Sequence, residues 1–148
     1  MQTKNSSGGA VWRIASTAAT MPIIFVIAWL LCQWALWIFG AALDAVSPII
    51  GPIEYDPRNI GFLQKLFRDL VPPAAAMLCA AWAASKFSRS GQLGYRLGAT
   101  IIVVGLSAIA TFTTWSVIER NLSLSWGDLV LDWATVAVVA ACARGARP

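Results

Sequence analysis

The sequence contains no histidine, and only 12% of its 148 residues are charged. Histidine is the commonest metal ligand and the usual general base near neutral pH. The three cysteines, Cys32, Cys79 and Cys142, have no pairwise spacing typical of a zinc or redox site. We therefore expect neither a metal ion nor a cofactor.

The usual signatures of enzymes and of nucleic-acid-binding proteins are also missing. The sequence has no G-x-x-x-x-G-K phosphate loop, no C-x-x-C pair and no G-x-S-x-G nucleophile elbow. Its 11 basic residues are scattered in ones and twos, without a basic run. We expect no catalytic residues and no nucleic-acid partner.

The apolar content, in contrast, is very high, at 58% of residues. Soluble domains contain about half apolar and about a quarter charged residues, so this composition indicates a lipid environment. Four apolar stretches predict an all-α integral membrane protein, a bundle of four transmembrane helices. The predicted helices lie at residues 22–43, 71–87, 97–118 and 126–143.

The segments between these helices complete the predicted topology. A cytoplasmic segment at residues 1–21, an outer loop at 44–70, a cytoplasmic loop at 88–96, an outer loop at 119–125 and a cytoplasmic tail at 144–148 follow in order. The first apolar stretch is uncharged over 22 residues, enough to cross about 30 Å of hydrocarbon. A cleaved signal peptide is the alternative for this stretch, but its length and its three tryptophans argue against cleavage.

The first outer loop has two different halves. Prolines keep its first half irregular, whereas residues 60–70 place Ile60, Leu63, Phe67 and Leu70 on one helical face. This pattern predicts a short amphipathic helix lying in the outer membrane interface. A docking face for an outer partner protein is the alternative.

Charge predicts which side of the membrane each loop occupies. With four crossings, seven basic and no acidic residues fall on one side, against four basic and seven acidic residues on the other. Basic residues near helix ends stay on the cytoplasmic side, so both termini are predicted there. The same bias supports the fourth helix, whose charge-free part, residues 133–143, is too short to cross alone. The short loops, without eukaryotic targeting features, suggest a bacterial inner membrane.

Small residues mark predicted helix-packing surfaces. Ala76, Ala80, Ala84 and Ser88 recur at i+4 spacing, and Gly94 and Gly98 form a G-x-x-x-G pair. Such residues let helix backbones approach closely in lipid, where packing rather than water drives association. The expected partners are therefore the lipid bilayer and other membrane helices, in a homo- or hetero-oligomer.

Polar residues inside the predicted helices are the candidates for a functional site. Asp128, Asp132 and Thr135 share one face of the fourth helix, and Gln33 lies midway along the first. An intramembrane carboxylate needs a partner, water or a proton, so these residues suggest an ion or proton site or an inter-subunit ion pair. Alternatively, Asp132 stays wet or pairs with Arg120, and Gln33 serves only in packing.

Three functional hypotheses follow. The first is a non-catalytic subunit or accessory component of a membrane protein complex, because packing surfaces are present and enzymatic motifs are not. The second is a small oligomeric transporter or channel that uses Asp132. The third is a holin-like protein that permeabilises the membrane.

Overall fold

The computed structural model describes residues 6–50, 57–87, 91–120 and 126–146, with side chains described for residues 8–42, 67–86, 92–119 and 127–146. All of these residues except Ala146 are helical, which confirms the all-α prediction for the described part of the chain. The four helices are α1 (Ser6–Ile50), α2 (Pro57–Phe87), α3 (Gly91–Arg120) and α4 (Trp126–Gly145).

The helices pack in a ring rather than in chain order. α1 contacts α2 and α3, and α4 contacts the same two helices. α1 and α4 therefore lie on one diagonal of the ring, and α2 and α3 on the other. Each helix has two neighbours and presents its remaining faces to the surroundings.

Contacts between the helices show the direction in which each helix runs. At one end, Met21 of α1 touches Gly98 of α3, and Tyr95 of α3 bonds Ala143 of α4. At the other end, Gln33 of α1 bonds α2 near its residue 68, and α4 bonds α2 at residue 69. α1 and α3 therefore run in one direction, and α2 and α4 run back.

The buried core is narrow and depends on small residues. Alanines of α2 are fully buried and let the neighbouring helices approach, while larger side chains from α1 and α3 fill the centre. The core residues are Met21, Phe25, Ala76, Met77, Ala80, Ala81, Tyr95, Ala99, Ile102, Leu106, Val139 and Ala143.

Gly98 sits at the closest approach between α1 and α3. A Cβ atom at this position would lie 2.9 Å from the Cβ and 2.9 Å from the Sδ of Met21. Real Cβ atoms do not come this close to a neighbouring Cβ, so only glycine fits without moving a helix. Gly94, one turn earlier, is also buried.

The helices are longer than the sequence pattern predicts. α1 begins at Ser6 instead of residue 22 and passes through Pro22, because Thr17 and Met21 are already buried against its neighbours. α2 joins the predicted interfacial helix at 60–70 and the predicted span at 71–87 into one helix of 31 residues. The side chains of residues 60–66 lie outside the described set, so the interfacial position of this segment stays a prediction.

Two of the four helices are long and apolar enough to cross a membrane, among the residues the structure describes. They are Gly8–Ala42 in α1 and Gln92–Glu119 in α3. This finding supports membrane helices in general. Crossing by α2 and α4 stays a prediction.

Candidate functional site

A double proline interrupts the hydrogen bonding of α2 near its middle. Pro72 and Pro73 are both inside the helix, and both are almost completely buried. Proline has no backbone N–H, so each one leaves the carbonyl four residues earlier without its helical donor. The carbonyls released in this way belong to Arg68 and Asp69.

Neighbouring helices supply a donor to each released carbonyl. The Nε2 of Gln33, on α1, donates to the carbonyl oxygen of Arg68 at 3.3 Å. The hydroxyl of Thr135, on α4, shares its single hydrogen between the carbonyl oxygen of Asp69, at 3.3 Å, and the carbonyl oxygen of Leu131 on its own helix, at 2.9 Å. Both freed carbonyls are therefore satisfied from outside α2.

This arrangement explains how α2 continues through two prolines. An unsatisfied backbone group in an apolar environment costs several kcal/mol, and helices in lipid tolerate proline when neighbours satisfy the freed groups. Gln33 and Thr135, two of the polar residues singled out from the sequence, thus meet at one structural element. We call Gln33, Thr135 and the carbonyls of Arg68 and Asp69 the proline clasp.

Carboxylates gather beside the proline clasp. Asp132 precedes Thr135 by about one turn of α4 and interacts electrostatically with Asp69 and Asp128. The Nε of Arg68 pairs with the Oδ1 of Asp69 at 3.0 Å, largely in the open. This end of the bundle therefore contains three carboxylates and one guanidinium, beside the two carbonyls that accept hydrogen bonds from other helices.

The side chain of Arg120, the alternative partner for Asp132, lies outside the described residues. Asp132 itself is half-buried, neither sealed in the core nor fully open. Its position near Asp69 was not predicted, because it joins α2 to α4, whose residues are far apart in the sequence.

The predicted packing residues lie on α2 and at the start of α3. Ala76 and Ala80 have no exposed surface, Ala84 is half-buried, and Ser88 falls outside the described residues. Gly94 and Gly98 are buried, and Gly98 faces α1. These small residues serve contacts within the chain. Their use against another protein stays a prediction.

Three threonines of α3 donate hydrogen bonds to carbonyls of their own helix. Thr111, Thr113 and Thr114 donate to the carbonyls of Ser107, Ile109 and Ala110 at 2.7, 3.0 and 2.7 Å. Each of these hydroxyls therefore has an acceptor within α3. Such back-bonding lets a polar side chain face lipid.

The described residues hold no group of three or more histidine, cysteine, aspartate or glutamate side chains that could bind a metal ion. The three cysteines are free. One further polar atom stands out, the indole Nε1 of Trp29, which is buried without an acceptor among the described residues. Trp29 lies one turn before Gln33 on α1, so it borders the proline clasp.

Comparison with known proteins gives no family for this chain. No protein-family model, curated protein or solved structure matches it. The proline clasp and the carboxylates beside it are therefore interpreted from their own geometry.

Sequence reasoning overlooked the parts of the site that belong to α2. The predicted helix at residues 71–87 places Pro72 and Pro73 in its first turn, where a missing N–H has no consequence. Counting back four residues from each proline identifies Arg68 and Asp69 as carbonyls that need donors. That signal is present in the sequence, but it does not say which neighbour supplies the donor.

Proposed function

We propose that this chain is a multi-pass protein of a bacterial inner membrane that works as a non-catalytic subunit or accessory component of a membrane protein complex. The observation that carries the proposal is the apolar surface of α1 between residues 34 and 42. Apart from half-buried Gly40, every residue of this segment is exposed, although Leu36 only to 37%, so the described helices leave most of its surface uncovered. Trp34 and Trp37 are 72% and 75% exposed.

Membrane placement is supported by the extent of this apolar surface. Large exposed apolar side chains occur on all four helices, including Ile23, Leu78, Phe112 and Val130. Soluble monomers rarely expose contiguous apolar patches beyond a few hundred Å². Lipid covers such surfaces without cost, and helices keep their backbone groups satisfied there.

Four crossings with cytoplasmic termini are supported by the charges at the two ends of the bundle. Arg13, Lys86, Arg96 and Arg144, one from each helix, lie toward the end where Met21 meets Gly98, which we call the basic end. The described carboxylates lie toward the opposite, acidic end; they are Asp69, Glu119, Asp128 and Asp132. By the positive-inside rule, the basic end faces the cytoplasm.

Single-cysteine labelling in intact cells tests this topology. On a background without the native cysteines, an impermeant reagent should label position 59 and leave a cysteine placed after Arg144 unlabelled. Labelling at both positions would mean an odd number of crossings and would contradict the four-helix topology.

A role in a complex is supported by the tryptophans on the uncovered segment of α1. Tryptophan is enriched in protein interfaces and contributes strongly to their binding energy. Two such side chains on a segment that the described helices leave mostly uncovered form a surface that a partner helix can cover. We therefore assign residues 34–42 as the partner-binding segment.

Photocrosslinking tests the partner-binding segment. A photoreactive amino acid at position 37 should capture a defined protein in cells, whereas the same group at Val104, an exposed apolar position on α3, should capture lipid. Capture of lipid alone at both positions, with a monomeric protein in mild detergent, would contradict the subunit role.

A second candidate function, a small transporter or channel, is favoured by the carboxylates beside the proline clasp. Asp132, Asp69 and Asp128 interact where two backbone carbonyls have left their helical pattern. Carboxylates and irregular carbonyls are the groups that membrane transporters use for cations and protons.

Ion flux in liposomes tests this second candidate. Asp132→Asn should abolish flux, whereas the matched control Glu119→Gln, at the same end on α3, should retain it. Glu119 is occupied by a 2.7 Å bond from the Nε1 of Trp115. Flux that survives Asp132→Asn would remove this carboxylate from the mechanism, and absence of flux in the wild type would contradict transport.

A further inference from the structure

Two arginines flank a hydrogen bond between α3 and α4 at the basic end. The hydroxyl of Tyr95 donates to the carbonyl of Ala143 at 2.7 Å, and Arg96 and Arg144 are the residues that follow these two in the sequence. Each arginine is rotated by about 100° around its helix axis relative to the preceding residue, which makes the contact. Because α3 and α4 are antiparallel, the two rotations bring both arginines to the same side of the pair.

The opposite end of the same surface gives independent evidence for this side. Thr114 follows Arg96 by about five whole turns, and Trp133 precedes Arg144 by about three, so each pair shares an angular position on its helix. The Nε1 of Trp133 donates to the hydroxyl of Thr114 at 3.3 Å across the two helices. The arginine pair and the Trp133–Thr114 bond therefore border one continuous surface.

The surface between these two ends is lined by short side chains. Ser107 donates its hydroxyl to the carbonyl of Val103 at 2.8 Å, so this polar group is already satisfied within α3. Each of the lining residues keeps part of its surface exposed. We call this surface the α3–α4 seam; its lining residues are Val103, Ser107, Ala137 and Ala140.

On its α4 side, the seam is about as long as one leaflet of a bilayer is thick. From Trp133 to Arg144, α4 rises about 16 Å at 1.5 Å per residue, whereas α3 rises about 27 Å from Arg96 to Thr114. Half of the hydrocarbon thickness of a bilayer is about 15 Å. A single acyl chain can therefore lie along the seam from the level of the arginines to the Trp133 ring.

The charge at the arginine end of the seam is positive, and no described carboxylate neutralises it. Arg96 and Arg144 are exposed, and neither forms an ion pair with a carboxylate in the described part of the chain. The described carboxylates all lie toward the acidic end. Paired guanidinium groups are well suited to a phosphate.

We propose that the α3–α4 seam binds an anionic phospholipid of the cytoplasmic leaflet, with its headgroup phosphate between Arg96 and Arg144 and an acyl chain against Ala137 and Ala140. This inference rests on the proposed membrane placement, with the basic end toward the cytoplasm. It does not depend on whether the chain is a subunit or a transporter.

Native mass spectrometry of the full chain in mild detergent tests the proposal, with phosphatidylglycerol and phosphatidylcholine of matched acyl chains as probes. The wild type should retain phosphatidylglycerol preferentially. A cation near an anionic headgroup contributes about fivefold, so Arg96→Gln with Arg144→Gln should weaken retention by about 25-fold. The matched control, Arg13→Gln with Lys86→Gln, removes the same charge from the same end and should leave retention unchanged.

A second variant tests the groove rather than the charge. Ala137→Phe with Ala140→Phe fills the seam while leaving both arginines in place, and should also abolish preferential retention. Glycerol 3-phosphate, which carries the phosphate without an acyl chain, should fail to displace the lipid at equal concentration. Displacement by this headgroup would overturn the proposal in favour of a free-phosphate site.

Two further results would overturn the proposal that the seam binds lipid. One is unchanged retention of phosphatidylglycerol in the arginine variant. The other is an equal loss of retention in the control variant, which would indicate a general effect of charge. Alkaline carbonate extraction of all variants separates this failure from that of membrane placement. Protein released by carbonate contradicts membrane placement, whereas retained protein without lipid preference contradicts the seam alone.

Discussion

Replacing Thr135 by valine removes one donor of the proline clasp and should destabilise the bundle. Valine has nearly the shape of threonine, so packing is preserved while the bond to the carbonyl of Asp69 is lost. The single hydroxyl hydrogen of Thr135 is shared with the carbonyl of Leu131 on its own helix, at 2.9 Å, but that carbonyl keeps its helical N–H donor. The loss is therefore concentrated on Asp69.

The expected cost is about 1 kcal/mol of unfolding free energy. Leaving a buried acceptor without a donor costs about 1–3 kcal/mol, whereas hydrogen bonds between membrane helices average about 0.6 kcal/mol and reach about 1.7. The length of this bond, 3.3 Å, and the partial exposure of Asp69 argue for the lower part of the first range.

A double-mutant cycle with Pro73→Ala isolates the effect. Alanine at position 73 restores the N–H that α2 lacks, so the carbonyl of Asp69 regains a donor within its own helix. In this background Thr135→Val should cost close to nothing, which gives a coupling free energy of about 1 kcal/mol. Reversible unfolding in mixed micelles of mild detergent and dodecyl sulfate, followed by circular dichroism, measures each corner.

Thr113→Val is the matched control, because its hydroxyl bonds the carbonyl of Ile109 within α3. It should change the unfolding free energy by less than about 0.5 kcal/mol. If Thr135→Val costs the same with Pro73 as with alanine there, its bond is independent of the proline and the interpretation of the clasp is wrong.

Three further substitutions test the bundle by the same unfolding measurement. Gln33→Leu should cost about 1 kcal/mol in the wild type and little in a Pro72→Ala background; equal costs would refute a role for Gln33 at the carbonyl of Arg68. Gly98→Ala should cost about 1–3 kcal/mol of unfolding free energy through overpacking. Gly105→Ala, with nothing within 4 Å of its added Cβ, should be neutral or slightly stabilising. Similar effects at both positions would contradict the close approach of α1 and α3. Tyr95→Phe should cost about 1 kcal/mol by removing the bond to Ala143, and an unchanged free energy would show that this bond adds nothing.

The existence of the four helices could be predicted from the sequence because apolar runs and local back-bonding depend on near neighbours. The alanine spacing on α2 also pointed to Ala76 and Ala80, which are fully buried. Helix ends were harder to predict. Propensity suggests a start at Pro22 and a break at Pro72, but tertiary packing of Met21 and donors from other helices carry the chain through both.

The candidate site could be predicted only as separate parts. Gln33 and Thr135 were identified because a polar side chain in an apolar helix needs a partner. The partner in each case is a backbone carbonyl of a different helix, and side-chain patterns along one helix contain no information about such pairing. The ring order of the helices, which places α2 beside α4, decides which carbonyl each residue meets.

The two halves of the proline clasp become available at different times during translation. Gln33 precedes its acceptor by 35 residues, so it is already in place when α2 emerges from the ribosome. Thr135 follows its acceptor by 66 residues, so the carbonyl of Asp69 stays without this donor until α4 has been synthesised. A nascent chain without α4 therefore has only one of the two donors that α2 receives from other helices at its double proline.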